Sequence, residues 1–223
     1  MSPDGGPDRS NGRRRSTAAR PTDDELLDAA RVVFAQRGFT GATMDGIAEQ
    51  ANSTKPTLYA HFGDKAALYR TLLNRETEAL GGWVIAVYQT TAELPPAERT
   101  RGNVMALFNY AAAHPDSFRI LFDWTSGDVS PERQNVIRAI TENVAGQVRR
   151  YFISQGRQPG PSSGLLAAMM VGLVSGAARY AALVEGIDVV AAGELAAEVI
   201  IAATAHLDPA VLDKIDSAES ADS

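Results

Sequence analysis

The stretch Thr43 to Lys65, reading TMDGIAEQANSTKPTLYAHFGDK, constrains the fold more than any other part of this 223-residue chain. Thr43 is placed to cap a brief helix whose inner side carries Ile47, Ala48 and Ala51. Asn52 comes next, a residue type that tolerates left-handed backbone, so the chain is expected to turn sharply there. Thr54 then caps a further helix, Lys55 to about His61, with Pro56 in the first turn where its missing N–H costs little. Leu58 and Phe62 are expected to face inward. Gly63 and Asp64 stop that helix and cap another, which carries Ala67, Leu68, Leu72 and Leu73 at helical spacing. Upstream, Thr22 and Glu25 form a capping box, and Leu26, Leu27, Ala30, Val33 and Phe34 mark an amphipathic helix running to Gly38. Two short helices joined by a tight turn, small residues inside and a polar outer face on the second, make a helix-turn-helix. In that unit the second helix suits the major groove of double-stranded DNA.

Downstream, strand-type alternation is absent. Pro95-Pro96, His114-Pro115, Gly127 to Pro131 and Gly156 to Gly164 divide the remainder into segments of helix-forming composition. The expected fold class is therefore all-α, with a three-helix N-terminal helix-turn-helix domain and a C-terminal helical bundle. The expected boundaries are a flexible basic arm over 1–21, the helix-turn-helix over 22–70, the bundle over 71–208 and a fraying acidic tail over 209–223. Two late segments, Ser163 to Glu185 and Asp188 to His206, are rich in Ala and Gly, as closely packed helices require. Leu165 to Leu183 approaches the length of a membrane span. Ser175 and Arg179 interrupt it, so a buried helix of a soluble protein is the expectation.

Composition narrows the function classes. There is no cysteine, which removes disulfides, thiolate metal sites and cysteine nucleophiles. His61, His114 and His206 lie too far apart for a dedicated metal site. No nucleophile-base set or phosphate loop points to an enzyme, and no cofactor is expected. The net charge of −6 argues against coating nucleic acid by charge alone, yet Arg9, Arg13, Arg14, Arg15 and Arg20 make the front end basic. That arm is placed to enter a minor groove, although a solvated tail is the commoner fate. The opening residues lack a signal-peptide pattern, so the protein is expected in the cytoplasm.

From Thr22 to Leu73, and above all in KPTLYAHFGDK, the chain resembles the tetracycline-repressor (TetR) family of transcriptional regulators. The resemblance implies that Thr43 contacts phosphate, that Thr54, Lys55, Pro56 and Thr57 open the recognition helix, that Tyr59 and His61 touch the DNA backbone, and that Lys65 binds phosphate. The chemistry agrees: hydroxyls, a helix N-terminus and lysine donate to phosphate oxygens, while Lys55 and Thr57 suit base edges. Asn52 stands where the family usually has Gly, and Ser53 where an apolar residue usually packs. Asp45 would repel phosphate if it faced DNA.

The resemblance further implies a homodimer on an inverted-repeat operator and a ligand cavity in the C-terminal domain. Gly172 and Gly176 at four-residue spacing, with Ala168 and Tyr180, are the expected dimer interface. An apolar small-molecule effector would need aromatic and methionine walls with a few polar groups. Met105, Phe108, Asn109, Phe118, Phe122, Trp124, Met169 and Arg179 are the expected pocket residues. The implied mechanism is a repressor whose effector moves the helix beginning at Asp64; Gly81-Gly82 read either as a flexible point or as an ordinary helix end. The alternative is a helical small-molecule or lipid carrier that ignores DNA.

Overall fold

The computed structural model describes residues 21–122 and 131–218, and among them the regular elements are all helices. These are α1 (Asp23–Gly41), α2 (Met44–Gln50), α3 (Lys55–Phe62), α4 (Lys65–Thr91), α5 (Pro96–Ala113), α6 (Pro115–Phe122), α7 (Pro131–Ser154), α8 (Pro161–Leu183), α9 (Val189–Ala205) and α10 (Pro209–Ala218). The basic arm and Trp124 lie outside the described residues.

Local chemistry explains most boundaries. Thr22 caps α1 with its side chain on the Glu25 N–H while the Glu25 carboxylate returns to the Thr22 N–H at 2.8 Å. Gly38 takes φ 65°, which breaks the helix geometry where a glycine tolerates it, and a short helical turn follows to Gly41. Helices α5, α6, α7, α8 and α10 each begin on a proline, where the missing N–H is free of an intrahelical partner in any case.

Two packed layers follow. Leu26, Ala30, Ile47, Leu58, Leu68 and Leu72 are fully buried between α1, α2, α3 and α4, each such leucine or isoleucine contributing roughly 1.5–3 kcal/mol. In the larger domain α5 packs most extensively on α9. Gly193 permits this, since a Cβ there would meet Phe108 at 2.7 Å and Met105 at 2.8 Å. The domains share α4 and a buried carboxylate: Glu76, 3% exposed, accepts from Arg75 at 3.0 Å, and Arg75 also donates to Asp28 on α1 at 2.9 Å. A buried charge needs such partners, so this cluster holds α1 to α4.

The structure departs from expectation in four places. α4 runs unbroken through Gly81 and Gly82, so no break in the helix marks the expected flexible point. Residues Pro209–Ala218 are helical, because Leu212 is buried and Asp216 accepts from the Ser162 N–H and hydroxyl, both at 2.8 Å, and from Arg157 at 3.0 Å. α8 is long and apolar enough to cross a membrane, but it is not the buried helix expected: only 22% of its most apolar window is buried within the chain. The expected pocket residues also diverge from the cavity that forms, as described below.

Candidate nucleic-acid interface and ligand cavity

The α2–turn–α3 unit is built by its caps. Thr43 accepts from the Gly46 N–H at 3.1 Å and Thr54 from the Thr57 N–H at 3.3 Å. Between them Asn52 adopts φ 47°, the one positive φ at a non-glycine among the described residues. Ser53 donates its N–H to the Ala48 carbonyl at 2.8 Å, so backbone bonding closes the turn where apolar packing is reduced. Leu58 is fully buried and Phe62 packs on the core, leaving Lys55, Pro56 and Tyr59 on the open face, with Tyr59 45% exposed.

Several expected DNA contacts already have protein partners. Lys55 donates to Asp45 at 2.8 Å, across the two reader helices, and this hydrogen bond raises the lysine pKa above its ordinary value. The Thr54 and Thr57 hydroxyls bond each other at 2.8 Å. His61 Nδ1 sits 2.5 Å from Asp23 Oδ1 on α1. Lys65 donates to the Phe39 and Ala42 carbonyls at 2.9 and 3.0 Å and lies over the Phe39 ring, tying α4 to the end of α1 and the residue that follows it. Its third N–H is the one left for an anion.

The larger domain encloses a cavity of about 680 Å³ between α4, α5, α7, α8, α9 and α10. Val104, Leu107, Phe122, Ile140, Val174 and Ile200 form apolar wall. Tyr88, Asn103, Gln147, Arg99 and Arg157 supply polar groups. Burial raises the Tyr88 pKa above its ordinary value. Asn103 accepts from Thr91 at 2.8 Å and donates to Gln147 at 2.9 Å, and Gln147 donates to Asn143 at 3.0 Å, so this amide chain is largely satisfied within the wall.

Of the expected pocket residues, Phe122 lines this cavity, and Met105, Phe108, Asn109, Phe118, Met169 and Arg179 do not. Met105 and Phe108 are taken up in the α5–α9 contact around Gly193. Phe118 is buried under Phe122, the rings stacked at 4.5 Å. Asn109 is on the surface, and Met169 is 63% exposed on the outer side of α8, its neighbour Met170 taking the cavity position. Successive helical residues point about 100° apart, so composition does not fix which residue of a helix meets the cavity.

Ala168, Gly172, Gly176 and Tyr180 all lie on the exposed side of α8, and a Cβ at either glycine would meet nothing within 4 Å. With Leu165, Met169 and Leu173, and with Leu195 and Val199 of α9, they form an apolar surface of two adjacent helices.

A capped two-helix unit on a helical body with a cavity defines the class: an all-α protein with an N-terminal helix-turn-helix. Residues 26–72 match the family model described as bacterial regulatory proteins, tetR family. The N-terminal helix-turn-helix segment is thus of the tetR family. It is 33% identical over 129 residues to the HTH-type transcriptional activator FasR of Mycolicibacterium smegmatis, covering 56% of this chain and 58% of that protein. It is 31% identical over 101 residues to an HTH-type transcriptional repressor of Streptomyces coelicolor, covering 45% and 48%. The chain thus spans about half the length of the curated relatives it matches. Among solved structures, a TetR-like regulator from Rhodococcus superposes with TM-score 0.63 at 25% identity, covering 82% of this chain and 96% of that one. FadR from Bacillus subtilis, solved with stearoyl-CoA, superposes with TM-score 0.66 at 17% identity, covering 80% and 97%.

Proposed function

We propose that this chain is a dimeric, sequence-specific DNA-binding regulator of transcription, a repressor released from an inverted-repeat operator by an apolar effector. The observation that carries the reading is α4: its first residue, Lys65, braces the reader, and further along Val84 and Tyr88 line the cavity. A ligand that shifts α4 would therefore shift α3, and effector and DNA would oppose each other through linkage.

In this proposal residues 22–70 are the reader, and the effector and dimer domain expected over 71–208 extends through α10 to Ala218. Lys55, Pro56 and Thr57 meet base edges. Thr43, Thr54, Tyr59, His61 and Lys65 meet phosphates, with Lys55 and His61 exchanging their carboxylate partners for DNA. A second copy covers the apolar faces of α8 and α9, setting two recognition helices roughly one turn of DNA apart. The FadR complex, which shares the fold, supports an effector with a long apolar part. A protein of this function works in the cytoplasm, where DNA is accessible, and no catalytic step is assigned to it.

The test is selection of bound genomic fragments by the purified chain, repeated across salt concentrations and with Lys55→Ala and Tyr59→Ala. An inverted-repeat motif lost in both variants, with a steep salt dependence, is the expected result. Absence of any enriched sequence would sink the reading and favour a carrier.

A further inference from the structure

Arginines at the cavity wall divide into two kinds. Arg157 is neutralised, lying 2.7 Å from Asp213 and 3.0 Å from Asp216, which hold its pKa up. Arg99, in the first turn of α5 beside exposed Pro96 and Ala97, has no ion pair and no side-chain hydrogen bond among the described residues. No aspartate or glutamate is among the described residues lining the cavity, although acidic residues outnumber basic ones 27 to 21 in the chain. The wall amides Asn103 and Gln147 are bonded to each other and Asn103 also to Thr91. A half-buried guanidinium facing an apolar space without a counter-anion carries a desolvation cost that an anion from outside would offset.

We infer that the cavity's ligand is an anionic amphiphile, with its carboxylate or phosphate head bound by Arg99 at the solvent-open start of α5 and its apolar chain laid against Leu107, Ile140 and Val174. This rests on the effector reading above and specifies its chemistry. The volume of about 680 Å³ lies within the range of small-molecule sites, and the planar fork of arginine suits either oxyanion.

Calorimetric titration of the full chain with palmitate, hexadecyl phosphate and hexadecanol tests this, using wild type, Arg99→Met and Arg99→Lys, with thermal melts showing that each variant is folded. Wild type should prefer an anionic probe to the alcohol by about tenfold or more, the scale of one charge-assisted hydrogen-bonded contact. The favoured anion tells carboxylate from phosphate. Arg99→Met should erase the preference with alcohol affinity unchanged, and Arg99→Lys should keep part of it. Equal binding of acid, phosphate and alcohol by wild type would overturn the inference while leaving an apolar effector in place. A loss in Arg99→Met that falls on all three probes alike would also overturn it, since it would make Arg99 a wall residue only. No binding of any probe would remove the effector reading together with this one.

Discussion

Asp45 and Lys55 face each other across α2 and α3 at 2.8 Å, both largely exposed, so the ammonium proposed to read bases is shielded by a carboxylate before DNA arrives. Asp45→Asn removes that competitor and a charge repelled by phosphate. Its operator affinity should rise about three- to tenfold at low salt, narrowing as salt rises, in a fluorescence-anisotropy titration. Unchanged affinity would mean that Asp45 turns away from DNA in the complex. A second residue-scale expectation concerns Tyr110, 2% exposed, whose pKa is pushed up to about 12 from 10.0 by burial and then by the charge of Glu76, against opposing contributions from Ser117 and Arg31. A group whose folded pKa is raised adds stability that is complete below its unfolded value. That contribution should disappear between about pH 10 and about pH 12, and tyrosinate absorbance of the folded chain should show Tyr110 and Tyr88 ionising after exposed tyrosines. At this scale much was legible in the sequence. Thr22, Thr43, Thr54 and Asn52 act through hydrogen bonds or backbone angles set by immediate neighbours, so their types announce their roles. His61 on Asp23 was not legible, because the partner lies 38 positions away.

α4 shows how an element can override a local signal. Two adjacent glycines suggest a flexible point, yet the helix passes through both without a break and a Cβ at either would meet nothing within 4 Å. Gly81→Ala and Gly82→Ala should each stabilise the protein, by up to about 1 kcal/mol in urea denaturation, through helix propensity alone. If the pair nevertheless blocks effector-induced release from DNA, the helix bends there in the working cycle. α10 is the opposite case. Its acidic composition suggests fraying, and a tertiary network of Arg157, Asp216 and Ser162 holds it as a helix with Leu212 against the end of the cavity. The proline-started helices needed no such help, since proline sets its own backbone angle.

For the whole molecule, the apolar surface of α8 and α9 is what a single chain cannot bury. Met169→Glu, at a residue 63% exposed, should leave the thermal melt of the fold intact and shift sedimentation from dimer to monomer. Operator binding should fall by about tenfold or more, since the half-sites would then be bound independently. A dimer that survives the substitution would place the interface elsewhere. The sequence by itself determined the helices other than α10, the caps of the helix-turn-helix with its left-handed turn, and which two segments carry the small-residue stripe. Each of these depends on chemistry within about a turn of helix. Only the tertiary structure decided which side of each helix meets which neighbour. It put Met170 in the cavity and Met169 outside it, buried Phe108 against Gly193, set Arg99 at the wall without a counter-charge, and folded α10 over the end. The physical reason is that helix spacing marks an apolar stripe about 100° wide, whereas a cavity depends on single-residue rotation and on partners far away in the chain.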